Sequence, residues 1–474
     1  MKAYNQGFIY FICMVSAMGG LLFGYDWVVI GGAKPFYELY FAISESPVMQ
    51  GVAMSTALVG CLMGAMVAGA WADKYGRKPM LIVAAVLFTV SALATGWFND
   101  FVLFNVARFV GGIGIGVASA LSPMYIAEIS PAEVRGKLVS LNQMTIVLGI
   151  LAAQIVNWQL AEPIPEGFTP TDILSSWNGQ MGWRWMFWAE ALPAASFLLL
   201  AFFIPESPRW LATRKARVKS EELKVGNEKW AAARATLARI GGAEYAEREL
   251  QAIAEADAAA QEQAGLATLF SRPFRRVLLL GIVIAVFQQW CGTNVIFNYA
   301  QEIFSAAGYS VGDVLFNIVI TGIANVVFTF VALYTVDRWG RRSLMLLGAG
   351  GLGVIYLILG TCYYLEVTGF GMVILVVAAI ACYAMSLGPV TWVLLSEIFP
   401  NRVRGVAMAV CTFALWTGCT TLTFSFPSLN ATLGSSGTFW IYAAICISGF
   451  LFFRQRCPET RGKSLEQLEQ ELTK

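Results

Sequence analysis

Asp73-Lys74-Tyr75-Gly76-Arg77-Lys78 returns 264 positions later as Asp337-Arg338-Trp339-Gly340-Arg341-Arg342. Two more stretches repeat in the same order. Glu128-Ile129-Ser130-Pro131, ending at Arg135-Gly136, is matched 269 positions on by Glu397-Ile398-Phe399-Pro400, ending at Arg404-Gly405. Pro205-Glu206-Ser207 is matched 253 positions on by Pro458-Glu459-Thr460. Echoes at a nearly constant offset mark an internal duplication. The chain between them is apolar, so the motifs punctuate two units of membrane-length segments. Two similar units around a midplane site are what alternating access requires.

Composition agrees with a lipid environment. Of 474 residues, 57% are apolar and 13% charged, with a mean hydropathy of +0.64, whereas soluble domains are about 45–50% apolar and about 25% charged. That excludes a soluble enzyme. The net charge of +2 gives no concentrated basic face for nucleic acid. Histidine is absent, which excludes histidine triads, HExxH zinc sites and imidazole relays and leaves proton chemistry to carboxylates. The nine cysteines lack a CxxC and lie mostly in apolar runs, as core hydrophobes do. No cofactor or metal is implied. Gly348-Ala349-Gly350-Gly351-Leu352-Gly353 fits GxGxxG, but in an apolar span without a preceding strand it reads as helix packing. Gly462-Lys463-Ser464 lacks the first glycine of a phosphate loop, since position 457 is Cys.

A bilayer core of about 30 Å takes about 20 helical residues. Twelve stretches qualify: 7–31, 50–71, 80–98, 102–126, 138–160, 184–204, 275–298, 313–336, 343–365, 370–394, 404–426 and 437–454. The first reads as a retained span, because its apolar run continues to Ile30. The expected fold is an all-α integral membrane protein of twelve transmembrane helices in two six-helix bundles, 1–204 and 275–456, with a helical insert at 205–274 and a tail at 457–474. Alternate loops are basic: Lys74, Arg77 and Lys78; Arg135 and Lys137; Arg338, Arg341 and Arg342; Arg402 and Arg404. The other side carries Glu38, Glu45, Asp100, Glu162 and Glu366, with Lys34 and Arg184 as exceptions. This asymmetry puts both termini and the insert in the cytoplasm, the insert as amphipathic helices on the membrane face.

Charges inside spans are expensive and usually functional. Asp26 lies in the first span and Arg108 in the fourth, just before the small-residue run Gly111–Gly116 that lets helices approach. Burial favours the neutral acid and Arg108 the ionised one, opposed effects that suit a proton carrier; a permanent structural ion pair is the plain alternative. Gln143, Ile150 and Gln154 share one face of span five, and Gln288, Gln289, Gly292, Asn294 and Asn298 suit a broken span seven. Asn317, Thr321 and Asn325 follow in span eight, and Gly388-Pro389 precedes Trp392 in span ten. Singly, each amide serves equally well as interhelical glue; together they suit a neutral hydroxylated ligand. At the basic loops, Asp73, Arg77, Glu128 and Arg135, with Asp337, Arg341, Glu397 and Arg404, form candidate ion-pair clusters that hold an inner gate shut. Their plain alternative is a topology signal alone.

The D-x-x-G-R-[RK] loops at 73–78 and 337–342, the Pro-Glu-Ser-Pro-Arg run at 205–209 and the Pro-Glu-Thr-Arg-Gly-Lys run at 458–463 occur together. From Gly24-Tyr25-Asp26 to the tail, the chain resembles the sugar porter family of the major facilitator superfamily, in particular its bacterial xylose-type sugar:proton symporters. The resemblance implies the major facilitator fold and secondary active import of a neutral monosaccharide with a proton, through a monomer in a bacterial inner membrane. It carries over Phe23, Gln143, Gln288, Gln289, Asn294, Asn325, Trp392 and Trp416 as substrate contacts, and Asp26 as the mark of a symporter. The chain departs at Asn298, where Tyr is usual, at Leu415, where an amide is usual, and at Ile150, where xylose-type carriers have Gln. A facilitative sugar or polyol carrier is the nearest alternative, and a transporter-like nutrient sensor a more distant one.

Overall fold

A computed structural model describes residues 4–165, 167–212, 223–259, 269–400 and 403–461, and every regular element among them is helical. The first half holds α1 (Gln6–Tyr40), α2 (Pro47–Tyr75), α3 (Arg77–Trp97), α4 (Phe101–Ile129), α5 (Arg135–Leu160), the short α6 (Pro170–Ser175), a π-turn at Asn178–Gly182 and α7 (Trp183–Ala201). Local chemistry sets the starts. Ser46 accepts the Met49 amide ahead of Pro47, and Asp100 accepts that of Leu103, each satisfying a donor that the first helical turn leaves free.

The polar stretch after α7 forms α8 (Pro208–Ala212), α9 (Leu223–Gly241) and α10 (Ala243–Ala259). Leu237, Ile240, Tyr245 and Leu250 are buried, so the apolar faces of α9 and α10 are covered as amphipathic helices require. The insert also anchors the start of α1, where the Asn5 amide donates to the Ile240 carbonyl at 2.8 Å.

The second half runs through α11 (Arg272–Trp290), α12 (Thr293–Asn298), α13 (Ala300–Ala306), α14 (Val311–Trp339), α15 (Arg341–Tyr364), α16 (Phe370–Ala384), α17 (Leu387–Ile398) and α18 (Arg404–Arg456). Span seven is broken as the sequence predicts, at Gly292 with φ 86°, a left-handed conformation that glycine adopts without strain. Span ten breaks as well. Pro389 offers no amide to the Met385 carbonyl and its ring clashes there, so α16 and α17 separate.

Ten helical stretches among the described residues are long and apolar enough to cross a membrane. One of them, α18, joins the last two spans across Gly434, whose backbone leaves the helical region. The sixth span, α7, falls short in hydropathy because it carries Arg184, Glu190 and Pro193. The twelve expected spans are therefore all helical. The first differs in length, running to Tyr40 rather than stopping near residue 31, because Lys34 and Glu38 are buried against each other and not in a loop.

Small residues bring α2 and α4 into backbone contact, and a Cβ added at Gly112 would lie 2.0 Å from the Ala57 carbonyl oxygen. The two halves meet at mid-depth and at the end away from the basic loops. There Gly51 packs on the Phe424 carbonyl and Gly31 on that of Asn298. The Trp158 ring meets that of Phe316 at a tilt, with centroids 5.4 Å apart, and Lys34 bonds to Glu302.

Candidate functional site

Asp26 and Arg108 form a charge pair buried to 1% and 2% exposure between α1 and α4. Arg108 donates through Nη1 to the Asp26 carboxylate and through Nη2 to the Asp26 carbonyl at 3.1 Å. The Phe187 ring of α7 stands 5.4 Å from its guanidinium carbon. Asp26 Oδ2 and Arg108 Nε are buried without a hydrogen-bond partner, so the pair is incompletely satisfied. A third charge lies within electrostatic reach: Glu190 of α7, 2% exposed, with its Oε1 unpartnered. Sequence reasoning passed over Glu190 although the signal that singled out Asp26, an acid inside an apolar span, applies to it equally.

The break in span seven organises the amides. Gln288 Nε2 donates to the Tyr383 hydroxyl at 2.7 Å, Gln289 Nε2 to Gln288 Oε1 at 2.5 Å, and Asn294 Nδ2 to Gln289 Oε1. Three of the expected residues are thus one hydrogen-bonded chain, ending on a tyrosine that the sequence reading did not single out. Each link is between neutral groups that donate and accept, so a hydroxylated ligand can exchange partners with them without leaving a charge exposed. Across from them an aromatic triangle stands at the seam of the halves. Phe23, Trp27 and Trp416 have centroid separations of 5.3, 5.6 and 5.9 Å. Trp27 joins the predicted pair Phe23 and Trp416, and it follows Asp26 directly in the chain, linking the ring cluster to the charge pair.

The other expected contacts are less integrated. Among the described residues, no side-chain hydrogen bond or ring contact ties Gln143, Asn325 or Trp392 to this cluster. Asn325 is buried, Gln143 half-buried and Trp392 36% exposed. Gln154, 1% exposed, sits at the seam against Gly322 with both amide atoms unpartnered. Leu415 is buried in the apolar core beside Trp416.

At the basic loops the clusters form inside each half. Arg77 pairs with Asp73 at 3.1 Å and with Glu128 at 2.9 Å, while Arg341 pairs with Glu397 at 3.0 Å. Arg135 donates to the Ser130 carbonyl at 3.4 Å and Arg404 to the Phe399 carbonyl at 3.0 Å. Glu128 also accepts from Ser207 at the start of the insert and Glu397 from Thr460 of the tail, and none of the described hydrogen bonds and ion pairs of Glu128, Arg135, Glu397 and Arg404 crosses to the other half. The side chain of Asp337 lies outside the described residues. Glu206 accepts the backbone amides of Arg77 and Ser207; burial pushes its carboxyl up, opposed by those donors and by Arg77.

Two repeated helical units, the second with two broken spans, hold a buried charge pair in the first half and an amide chain in the second, with an aromatic triangle at their seam. Fold and site together define a membrane transporter of the major facilitator type. The profile of the family described as sugar (and other) transporter matches residues 12–472, and the chain belongs to that family. It is 35% identical to a D-xylose-proton symporter of Escherichia coli (strain K12), over 98% of this chain and 96% of that one. It is also 35% identical to an arabinose-proton symporter of Bacillus subtilis (strain 168), over 99% and 96%. Among solved structures, the inward open conformation of the xylose transporter XylE from E. coli superposes with a TM-score of 0.83 at 34% identity, covering 98% of this chain and all of that one.

Proposed function

We propose that the protein imports a neutral monosaccharide, a pentose or hexose, together with a proton by alternating access in a bacterial inner membrane, working as a monomer. In this reading residues 1–204 and 275–456 are the moving bundles. The basic loops, both termini and the insert face the cytoplasm. The observation that carries it is the buried Asp26–Arg108 pair, one residue away from the Trp27 ring that meets Trp416 of the other half. A sugar lies against Phe23, Trp27 and Trp416 and takes over hydrogen bonds from Gln288, Gln289 and Asn294, with Gln143, Asn325 and Trp392 completing the site. Protonation of Asp26 removes its attraction for Arg108, and the buried pair then no longer holds α1 to α4 in one arrangement.

The end at which the halves meet is the outer one in this assignment, and the end with the basic loops faces the cytoplasm. The clusters around Arg77 and Arg341 close on each other in the opposite conformation. Uptake of labelled xylose, arabinose, galactose and glucose into proteoliposomes, with and without an imposed pH gradient, tests the proposal. Accumulation above the external concentration only with an acidic outside is expected. Equal final levels with and without the gradient would leave facilitated diffusion as the function.

A further inference from the structure

Lys34 is 1% exposed. Its ammonium stands 2.9 Å from Glu38 Oε1 on the same helix and bonds to Glu302 Oε1 on α13 of the other half. Two carboxylates therefore share one ammonium. The remaining groups around them are neutral or occupied elsewhere. The Tyr299 ring centroid is 5.4 Å from the Lys34 nitrogen, Tyr37 donates to Met54, Gln50 donates to Glu38 Oε2 at 3.5 Å, and Arg108, a cation within electrostatic reach of Tyr37, is engaged with Asp26. Glu38 is 6% exposed. Its Oε1 is held by the ion pair with Lys34 alone, and Glu302 Oε2 is buried without a hydrogen bond.

With both acids ionised, the closed site carries one uncompensated negative charge, which burial penalises strongly. One proton removes the excess and gives an orphaned oxygen a hydrogen to donate. When the halves part at this end, Glu302 leaves with the second half, Lys34 and Glu38 remain a balanced pair one turn apart on α1, and water reaches the acids. We infer that Lys34, Glu38 and Glu302 form a second proton-binding site, assembled from both halves only while the outer side is closed. The proton adds to a carboxylate oxygen of Glu38 or Glu302, entering from outer water past Glu302, whose side chain is 25% exposed. It returns to the same side on reopening, so this site biases the outer gate towards closure in acid and does not drive transport. The inference rests on the alternating-access reading and on its assignment of sides.

The test is a distance measurement between spin labels on Ser44 and Leu365, in outer loops of the two halves, with the half-buried Cys362 and Cys382 replaced by serine. It is made on the full chain in nanodiscs at pH 5.5 and 7.5, in an Asp26→Asn background that silences the coupling acid. The closed-to-open ratio is expected to fall at least about threefold as pH rises over this range, against a ceiling of about tenfold per pH unit for one linked proton. Glu38→Gln and Glu302→Gln, which keep the neutral form, should each abolish that fall. A ratio that does not change with pH in Asp26→Asn, or a pH dependence that survives both glutamine variants, overturns the inference. Should Glu38→Gln not accumulate, the less buried Glu302→Gln decides alone. A sugar-induced change of the same distance in the chain with Asp26 intact reports on the transport reading separately.

Discussion

Arg77 grips Glu128 through two parallel hydrogen bonds, Nε to Oε2 at 3.0 Å and Nη2 to Oε1 at 2.9 Å. Arg341 repeats the arrangement on Glu397 at 3.2 and 3.0 Å. The flanking donors are duplicated with them. Ser207 donates to Glu128 at 2.5 Å and Thr460 to Glu397 at 2.6 Å, while the amides of Arg77 and Arg341 donate to Glu206 and Glu459. The three repeated sequence motifs thus meet in space as one repeated unit, which ties the end of each bundle to its own loop.

The two copies differ in burial, and so should their contributions to stability. The side chains of Arg77 and Glu128 are 10% and 9% exposed, against 12% and 24% for Arg341 and Glu397. Breaking a buried pair leaves an uncompensated charge, at a cost of about 3–5 kcal/mol, and more exposed pairs are better screened. Glu128→Gln is expected to lower the thermal unfolding midpoint of the purified protein more than Glu397→Gln. An equal or reversed order would show that burial does not set the difference.

Asp26→Asn should abolish accumulation against a gradient while leaving sugar exchange measurable. The amide resembles the protonated acid and cannot release a proton, so the conformational cycle runs without coupling. Counterflow and pH-driven uptake in the same proteoliposomes check this. Full pH-driven accumulation by the variant would remove Asp26 from the coupling role.

Gln289→Ala removes the middle link of the amide chain, taking the donor from Gln288 Oε1 and leaving the Asn294 amide only its weak contact with Cys419 Sγ. A buried hydrogen bond left unmade costs about 1–3 kcal/mol, which corresponds to roughly five- to hundredfold in affinity. All transported sugars should bind more weakly by a factor in that range, measured by equilibrium binding. Wild-type affinity for every sugar tested would move the binding site elsewhere.

Gly112→Ala and Gly69→Ala should act in opposite directions. At Gly112 the added carbon meets the Ala57 carbonyl at 2.0 Å, whereas at Gly69 it meets nothing within 4 Å. Overpacking costs about 1–3 kcal/mol or more; filling an unobstructed glycine inside a helix gains up to about 1 kcal/mol. Thermal unfolding and the yield of monodisperse protein measure both, and a neutral Gly112→Ala would mean that α2 and α4 separate freely.

The membrane class, the twelve helical spans, the break at Gly292, the insert and the duplication were legible in the chain, because hydropathy, proline and glycine chemistry and motif spacing act over a few turns of helix. Asp26 was legible for the same reason, as a charge in an apolar run. Partners far apart in the chain were not. Lys34 and Glu38 mark the end of an apolar run and read as a loop, and only the arrival of Glu302 from 268 positions away puts them inside the protein. Gln288, Gln289 and Asn294 stood out as amides, yet their joining into one chain ending on Tyr383 depends on how α11, α12 and α16 pack. The sequence alone determined which segments cross the membrane and which polar residues they carry. Which end of the molecule is closed was decided by tertiary structure, since an alternating-access sequence must stabilise two interfaces between the same halves, and only the packed chain shows which one is formed.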